Sequence, residues 1–136
     1  METETIANTP HLMRIIREYH RHGFQVALDD FGTGYSGLLR LAELEPNIIK
    51  LDRMLIKDCD LDQRRLAIVA HSIAMAAAIG VKVVVEGVER IGEVEALRSV
   101  GARFMQGFYF AKPAFERIVQ GGEIAWVQVS TCSGAQ

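Results

Sequence analysis

The 136-residue chain contains few of the features that mark specialised protein classes. It has only two cysteines, Cys59 and Cys132, and neither lies in a CxxC motif or a Cys/His cluster. We therefore expect two reduced thiols rather than a disulfide or a zinc site. The formal net charge is only −2, so no basic surface favours binding to DNA or RNA. The apolar runs are far shorter than the ~20 residues that a membrane-spanning helix needs.

The beginning of the sequence, METETIANTP, has no basic start followed by an apolar core. It therefore predicts no signal peptide, and we expect a cytoplasmic protein without a membrane partner. The composition, 49% hydrophobic and 24% charged, is typical of one globular domain.

Helical and strand patterns alternate along the chain. Apolar spacing and glycine or proline boundaries predict helices over 10–22, 36–44, 61–79, 91–100 and 113–121. Apolar, β-branched runs predict strands over 24–30, 47–52 and 81–88 and within 102–113, and residues 124–129 have some strand character. Four alternations predict right-handed βαβ crossovers and a parallel sheet of the α/β class. Two architectures fit: a small, open, doubly wound sheet or part of a (β/α)8 barrel.

Polar side chains interrupt the apolar strands near their ends. Asp29 and Asp30 end the first strand, Lys50 lies near the end of the second, Glu86 follows the third, and Gln106 lies in the fourth. Because parallel strands end at one edge of a sheet, these side chains should converge where α/β proteins build their sites. Three carboxylates and a lysine indicate a hard divalent cation with a phosphate ligand.

Each of these signals also has a simpler structural interpretation. The acidic pair can cap a turn, Lys50 and Glu86 can be solvated charges, and Gln106 can be an ordinary hydrogen-bonding side chain. Residues 30–32 read DFG, but the chain has neither the glycine-rich loop nor the VAIK-type lysine of a protein kinase. The functional interpretation rests on the joint placement of the polar residues at one edge.

Four segments resemble the C-terminal part of the EAL domain, the bacterial cyclic-di-GMP phosphodiesterase family. They are GFQVALDDFGTGYSGL, PNIIKLDRMLI, VVVEGVE and FMQGFYFAKP, in the family's order and with family-like spacing. The resemblance implies a partial TIM-like barrel of about four βα units. It also implies metal-dependent hydrolysis of cyclic-di-GMP to linear pGpG, with Mg²⁺ or Mn²⁺ as the cofactor.

The resemblance assigns roles by position. Asp29, Asp30 and Glu86 match metal ligands, and Lys50 and Glu86 match the catalytic residues near the hydrolytic water. Gln106 and Glu89 match residues beside the substrate. Glu2 matches, by spacing alone, the glutamate that anchors the glycine loop.

Several family features are missing from this sequence. The only EAL tripeptide, at 95–97, lies in a late helix instead of on an early strand, and the family's asparagine ligand and a metal glutamate are absent. Asn47 replaces the usual aspartate, and Arg90 stands where threonine is usual.

We therefore expect a truncated EAL-type domain over 1–136, with a core at 9–120 and a tail at 121–136. A four-stranded arc cannot close by itself, so the expected partner is a second copy or the missing N-terminal half of the barrel. Three functions remain open: a phosphodiesterase, a catalytically inactive cyclic-di-GMP binder, and a dimerisation or scaffold module.

Overall fold

The computed structural model describes residues 9–32 and 37–112, together with the isolated residues 122 and 124. Helices and strands alternate as the sequence predicts. In chain order they are α1 (Thr9–Arg21), β1 (Ala27–Phe31), α2 (Gly37–Leu44), β2 (Ile48–Leu51), α3 (Arg53–Ile56), α4 (Gln63–Ala78), β3 (Lys82–Val85), α5 (Ile91–Ser99) and β4 (Phe104–Met105). The predicted helix over 113–121 lies outside the described residues, as does nearly all of the predicted strand over 124–129.

Two local details differ from the prediction. The short helix α3 begins directly after β2, where Asp52 accepts a hydrogen bond from the backbone N–H of Met54 at 2.7 Å and caps the first turn. The fourth strand contains only Phe104 and Met105, so Gln106, which the sequence predicts within the strand, directly follows it.

The sheet is parallel throughout and its strands follow one another in the order β1-β2-β3-β4. The prediction of a parallel α/β sheet is therefore confirmed. In a doubly wound sheet the strand order reverses at a switch point, whereas consecutive neighbours are typical of an arc of a (β/α)8 barrel. The observed order favours the barrel arc.

The core lies between the sheet and the helices on one of its faces. Burial alternates along the central strands, so Ile49, Leu51, Val83 and Val85 are buried, whereas Lys50 on the opposite face is only half-buried. The apolar runs predict strands covered on both faces, but only one face is fully covered. The reason is geometric, because the inner face of a barrel is covered by strands across its interior and these four strands form only an arc.

The register of β1 against β2 shifts by one residue at its end. Leu28 pairs with Ile49 and Phe31 pairs with Leu51, so β1 uses three steps where β2 uses two. Asp30 has a φ of +53°, which is the left-handed conformation that aspartate tolerates better than most residues. This bulge leaves both Asp29 and Asp30 exposed while Phe31 returns to the core.

None of the helices within 9–32 and 37–112 combines the length and apolarity that crossing a membrane would require.

Candidate active site

The strand-end residues predicted from the sequence do meet at one edge of the sheet. Backbone hydrogen bonds continue the ladder past the strands, from the N–H of Glu86 to the carbonyl of Leu51 at 3.0 Å and from the N–H of Gln106 to that of Val85 at 2.8 Å. These bonds fix Glu86 beside the end of β2, where Lys50 lies, and Gln106 beside the end of β3.

Four side chains form one continuous polar line across the sheet. The Lys50 ammonium lies 3.1 Å from an Asp29 carboxylate oxygen and also contacts the Glu86 carboxylate. The Gln106 amide nitrogen donates to the same Glu86 oxygen at 2.5 Å. The line Asp29–Lys50–Glu86–Gln106 thus takes one residue from the end of each of the four strands in turn.

The ion pairs shift the pKa values at both ends of the Asp29–Lys50 contact. The hydrogen bond from Lys50 lowers the pKa of Asp29, partly opposed by burial. Hydrogen bonds to Glu86 and then to Asp29 raise the pKa of Lys50. Lys50 is therefore an ammonium cation over the whole neutral range. The Asp29 side chain is 62% exposed, so solvent screens its share of this attraction.

A cavity of about 570 Å³ opens beside this line. Its lining combines acids, cations and an aromatic ring: Arg53, Glu86, Glu89, Gln106, Phe108 and Lys112. The Arg53 guanidinium pairs with Glu89 at 2.9 Å, and the Phe108 side chain is more than half exposed. A larger cavity of about 810 Å³ lies between α2 and α4, but its lining is mainly apolar and contains no carboxylate.

The sequence pattern did not identify three of the lining residues, Arg53, Phe108 and Lys112. Arg53 directly follows Asp52 at the end of β2, and Phe108 and Lys112 follow β4, so the rule that identified the acids extends to them. The Arg53 side chain packs directly against Gly87, and only glycine permits this contact, because a Cβ at Gly87 would lie 2.5 Å from the Cβ of Arg53.

The side-chain oxygens at this edge are of the type that binds a hard divalent cation. Asp29, Asp30 and Glu86 offer carboxylates, which such cations prefer, but a cation usually takes about six oxygen ligands. Within the described ranges, no three His, Cys, Asp or Glu side chains are grouped closely enough to hold one ion. The described residues thus supply suitable ligands but not a complete set, and Glu2 lies outside them.

Comparison with known proteins identifies close relatives. The EAL domain family matches residues 1–113. The cyclic di-GMP phosphodiesterase PdeR of Escherichia coli K12 is 39% identical over 120 residues, which are 85% of this chain and 18% of that protein. The cyclic di-GMP phosphodiesterase RocR of Pseudomonas aeruginosa PAO1 is 40% identical over 95 residues, which are 70% of this chain and 24% of that protein.

Solved structures give the same result for the fold. A standalone EAL protein from Vibrio cholerae O395, in its c-di-GMP-bound form, superposes with a TM-score of 0.78 at 41% identity, covering 82% of this chain and 47% of that one. The manganese and cyclic-di-GMP complex of Klebsiella pneumoniae BlrP1 gives a TM-score of 0.75 at 39% identity, covering 82% of this chain and 29% of that one.

The chain therefore spans less than half the length of each of these four relatives. Its fold is part of a TIM-like barrel, as the resemblance implied. With a family match over residues 1–113 and this polar edge on a consecutive parallel sheet, the chain belongs to the EAL domain family.

Proposed function

We propose that this chain supplies one wall of the active site of a cyclic-di-GMP phosphodiesterase. The observation that carries the proposal is the unbroken line Asp29–Lys50–Glu86–Gln106 at the carboxyl edge of the sheet. The names of the relatives support the reaction, in which water adds across one phosphodiester bond and the ring opens to linear pGpG.

In this proposal the carboxylates of Asp29, Asp30 and Glu86 would supply part of the ligand set of a divalent cation, Mg²⁺ or Mn²⁺, and ligands from outside the described residues would complete it. When bound, the cation supplies Lewis-acid stabilisation to the negative charge on the phosphodiester. Gln106 holds the Glu86 carboxylate in place through its amide N–H. Lys50 offsets part of the negative charge of the two carboxylates that it contacts, and its ammonium is a donor for a phosphate oxygen.

The cavity beside the line has the chemistry of a nucleotide subsite. An exposed aromatic ring such as that of Phe108 offers a face on which a base can stack. Lys112 offers a cation to a phosphate, and the pair of Arg53 and Glu89 offers a donor and an acceptor to the polar edge of a base or a ribose. We assign Glu89 and Gln106 to substrate binding on this basis.

Completion of the barrel is also part of the proposal. Four strands leave two edges to pair, and the inner face beside Lys50 is incompletely covered. Four further strands, from a second copy of this chain or from the N-terminal half of an EAL domain, would cover both edges and bring the remaining oxygen ligands.

Binding without hydrolysis is the second candidate function. One observation favours it: no complete cation-binding group exists among the described residues, although a cavity with polar and aromatic lining lies beside them. A domain of this kind would act as a sensor or an assembly module that responds to the nucleotide.

A turnover assay with cyclic-di-GMP and Mn²⁺ separates the two functions. The parent chain is compared with Asp29→Asn and Lys50→Met, and with Lys82→Met as the matched control, because Lys82 is exposed at the start of β3. Linear product from the parent and the control but not from the site variants supports the phosphodiesterase. Calorimetric binding without product supports the sensor, and the absence of both contradicts the two proposals. Light scattering on the same samples gives the number of copies.

A further inference from the structure

Glu93 carries the one buried charged side chain among the residues that the structure describes. It lies in the first turn of α5 and is 2% exposed. A buried carboxylate is costly unless hydrogen bonds replace its hydration. Glu93 receives three such bonds from backbone N–H groups, those of Asp58 at 3.0 Å, Glu89 at 2.9 Å and Arg90 at 3.1 Å.

These donors belong to two separate loops at the carboxyl edge of the sheet. Glu89 and Arg90 lie in the segment 86–90, which follows β3 and carries Glu86 into the polar line. Asp58 lies in the turn after α3, where it has a φ of +58°. One carboxylate therefore connects the loop that bears Glu86 and Glu89 to the element that bears Arg53, the partner of Glu89.

Helix capping alone does not account for this arrangement. In a capping box the third residue of the helix accepts a hydrogen bond only from the N-cap N–H, which here belongs to Arg90. The bonds from Glu89 and from Asp58, 35 residues away in sequence, are additional. The Arg90 guanidinium also binds Asp58 at 3.0 Å and Asp60 at 2.5 Å, so a second, exposed contact joins the same two loops.

We propose that Glu93 is a positioning residue for the nucleotide site. It does not line the cavity, and it acts by fixing the backbone of 86–90 so that Glu86 and Glu89 face the cavity together. The inference rests on the proposed function, because the affected step is binding of the nucleotide.

The test compares Glu93→Gln with Glu95→Gln. Both substitutions remove one carboxylate from α5, but Glu95 is exposed. The amide of glutamine has one oxygen acceptor, and its NH₂ group cannot accept from a backbone N–H, so at least one of the three bonds is lost. Two quantities are measured: hydrogen exchange of the Asp58, Glu89 and Arg90 amides by NMR, and the calorimetric affinity for cyclic-di-GMP in the presence of Ca²⁺.

We expect Glu93→Gln to speed exchange at these amides and to weaken nucleotide binding, each by about tenfold, because bonds to a charged acceptor are lost. Glu95→Gln should match the parent. Faster exchange with unchanged affinity overturns the inference, since it would show a merely structural cap, and so does an equal loss in both variants. If the parent binds no nucleotide, the proposed function itself fails. Should Glu93→Gln not fold, Glu93→Asp, which keeps the charge and shortens the reach, replaces it in both measurements.

Discussion

Gly107 is the position at which a single methyl group should disturb the fold and the site together. It has a φ of +155°, and a Cβ built there would overlap the backbone carbonyl and nitrogen of Val88. These atoms cannot move freely, because the Val88 N–H donates to the carbonyl of Gln106 at 3.1 Å and its own carbonyl accepts from Tyr109 at 3.0 Å. Gly107→Ala must therefore displace a backbone segment that is bonded on both sides.

The expected loss of stability follows from the two Val88 hydrogen bonds that the added methyl group would disturb. Two backbone hydrogen bonds contribute about 1 kcal/mol each, and forced overpacking in a tight site costs about 1–3 kcal/mol. We expect Gly107→Ala to lower the free energy of unfolding by about 3–5 kcal/mol. Gly80→Ala is the matched control, because Gly80 also has a positive φ, +73°, but no atom lies within 4 Å of the added methyl. That control should cost only about 1 kcal/mol, from the left-handed conformation alone.

Urea denaturation followed by far-ultraviolet circular dichroism measures both variants against the parent. The comparison removes the cost of alanine at an ordinary left-handed position, and the remaining difference reports the overlap with Val88 together with the larger φ of Gly107. If Gly107→Ala costs no more than Gly80→Ala, the close approach of Gly107 to Val88 is refuted.

Three further outcomes are expected. Arg53→Gln should weaken cyclic-di-GMP binding by about tenfold in calorimetry, while the free energy of unfolding changes by less than about 0.5 kcal/mol, because its pair with Glu89 is half-exposed. Leu97→Ala should lower that free energy by about 2–5 kcal/mol in urea, since Leu97 is fully buried. Burial, and then the charge of Glu93, raises the pKa of the Cys59 thiol from 9.0 to about 11. Its contribution to stability is therefore full below pH 9 and is lost as the pH rises towards 11. In a Cys132→Ser variant at pH 8, a thiol reagent should label Cys59 only after unfolding.

The sequence predicted the polar line and every helix and strand of the described ranges except the short helix α3, for a physical reason. The apolar period changes from that of a helix to that of a strand at each glycine or proline boundary, and parallel strands bring their ends to one edge. Lys50 and Glu86 are 36 residues apart, yet strand order alone predicts that they meet.

Other features depend on contacts that no local pattern records. Glu93 stands in the first turn of an amphipathic helix, where a glutamate is usually a solvated cap. It is buried here because the turn at Asp58 packs against it. The two residues are 35 positions apart, so no local sequence pattern predicts this contact. The one-sided burial of β2 and β3 is missed for a related reason, since an apolar run does not reveal whether anything covers its second face.

The position of Lys50 between two carboxylates links the charge of the site to the binding of a ligand. Its ammonium contacts both Asp29 and Glu86, so it occupies the space between two of the carboxylates assigned to a divalent cation. A cation can engage both carboxylates only if the ammonium leaves at least one of them, because two positive groups at one oxygen repel each other. A phosphodiester would supply the alternative acceptor that this movement needs, since its oxygens, like those of a carboxylate, accept hydrogen bonds from an ammonium. If the proposed function holds, a cation and a phosphodiester would therefore favour each other's binding at this edge, and Lys50 would be the residue that couples them.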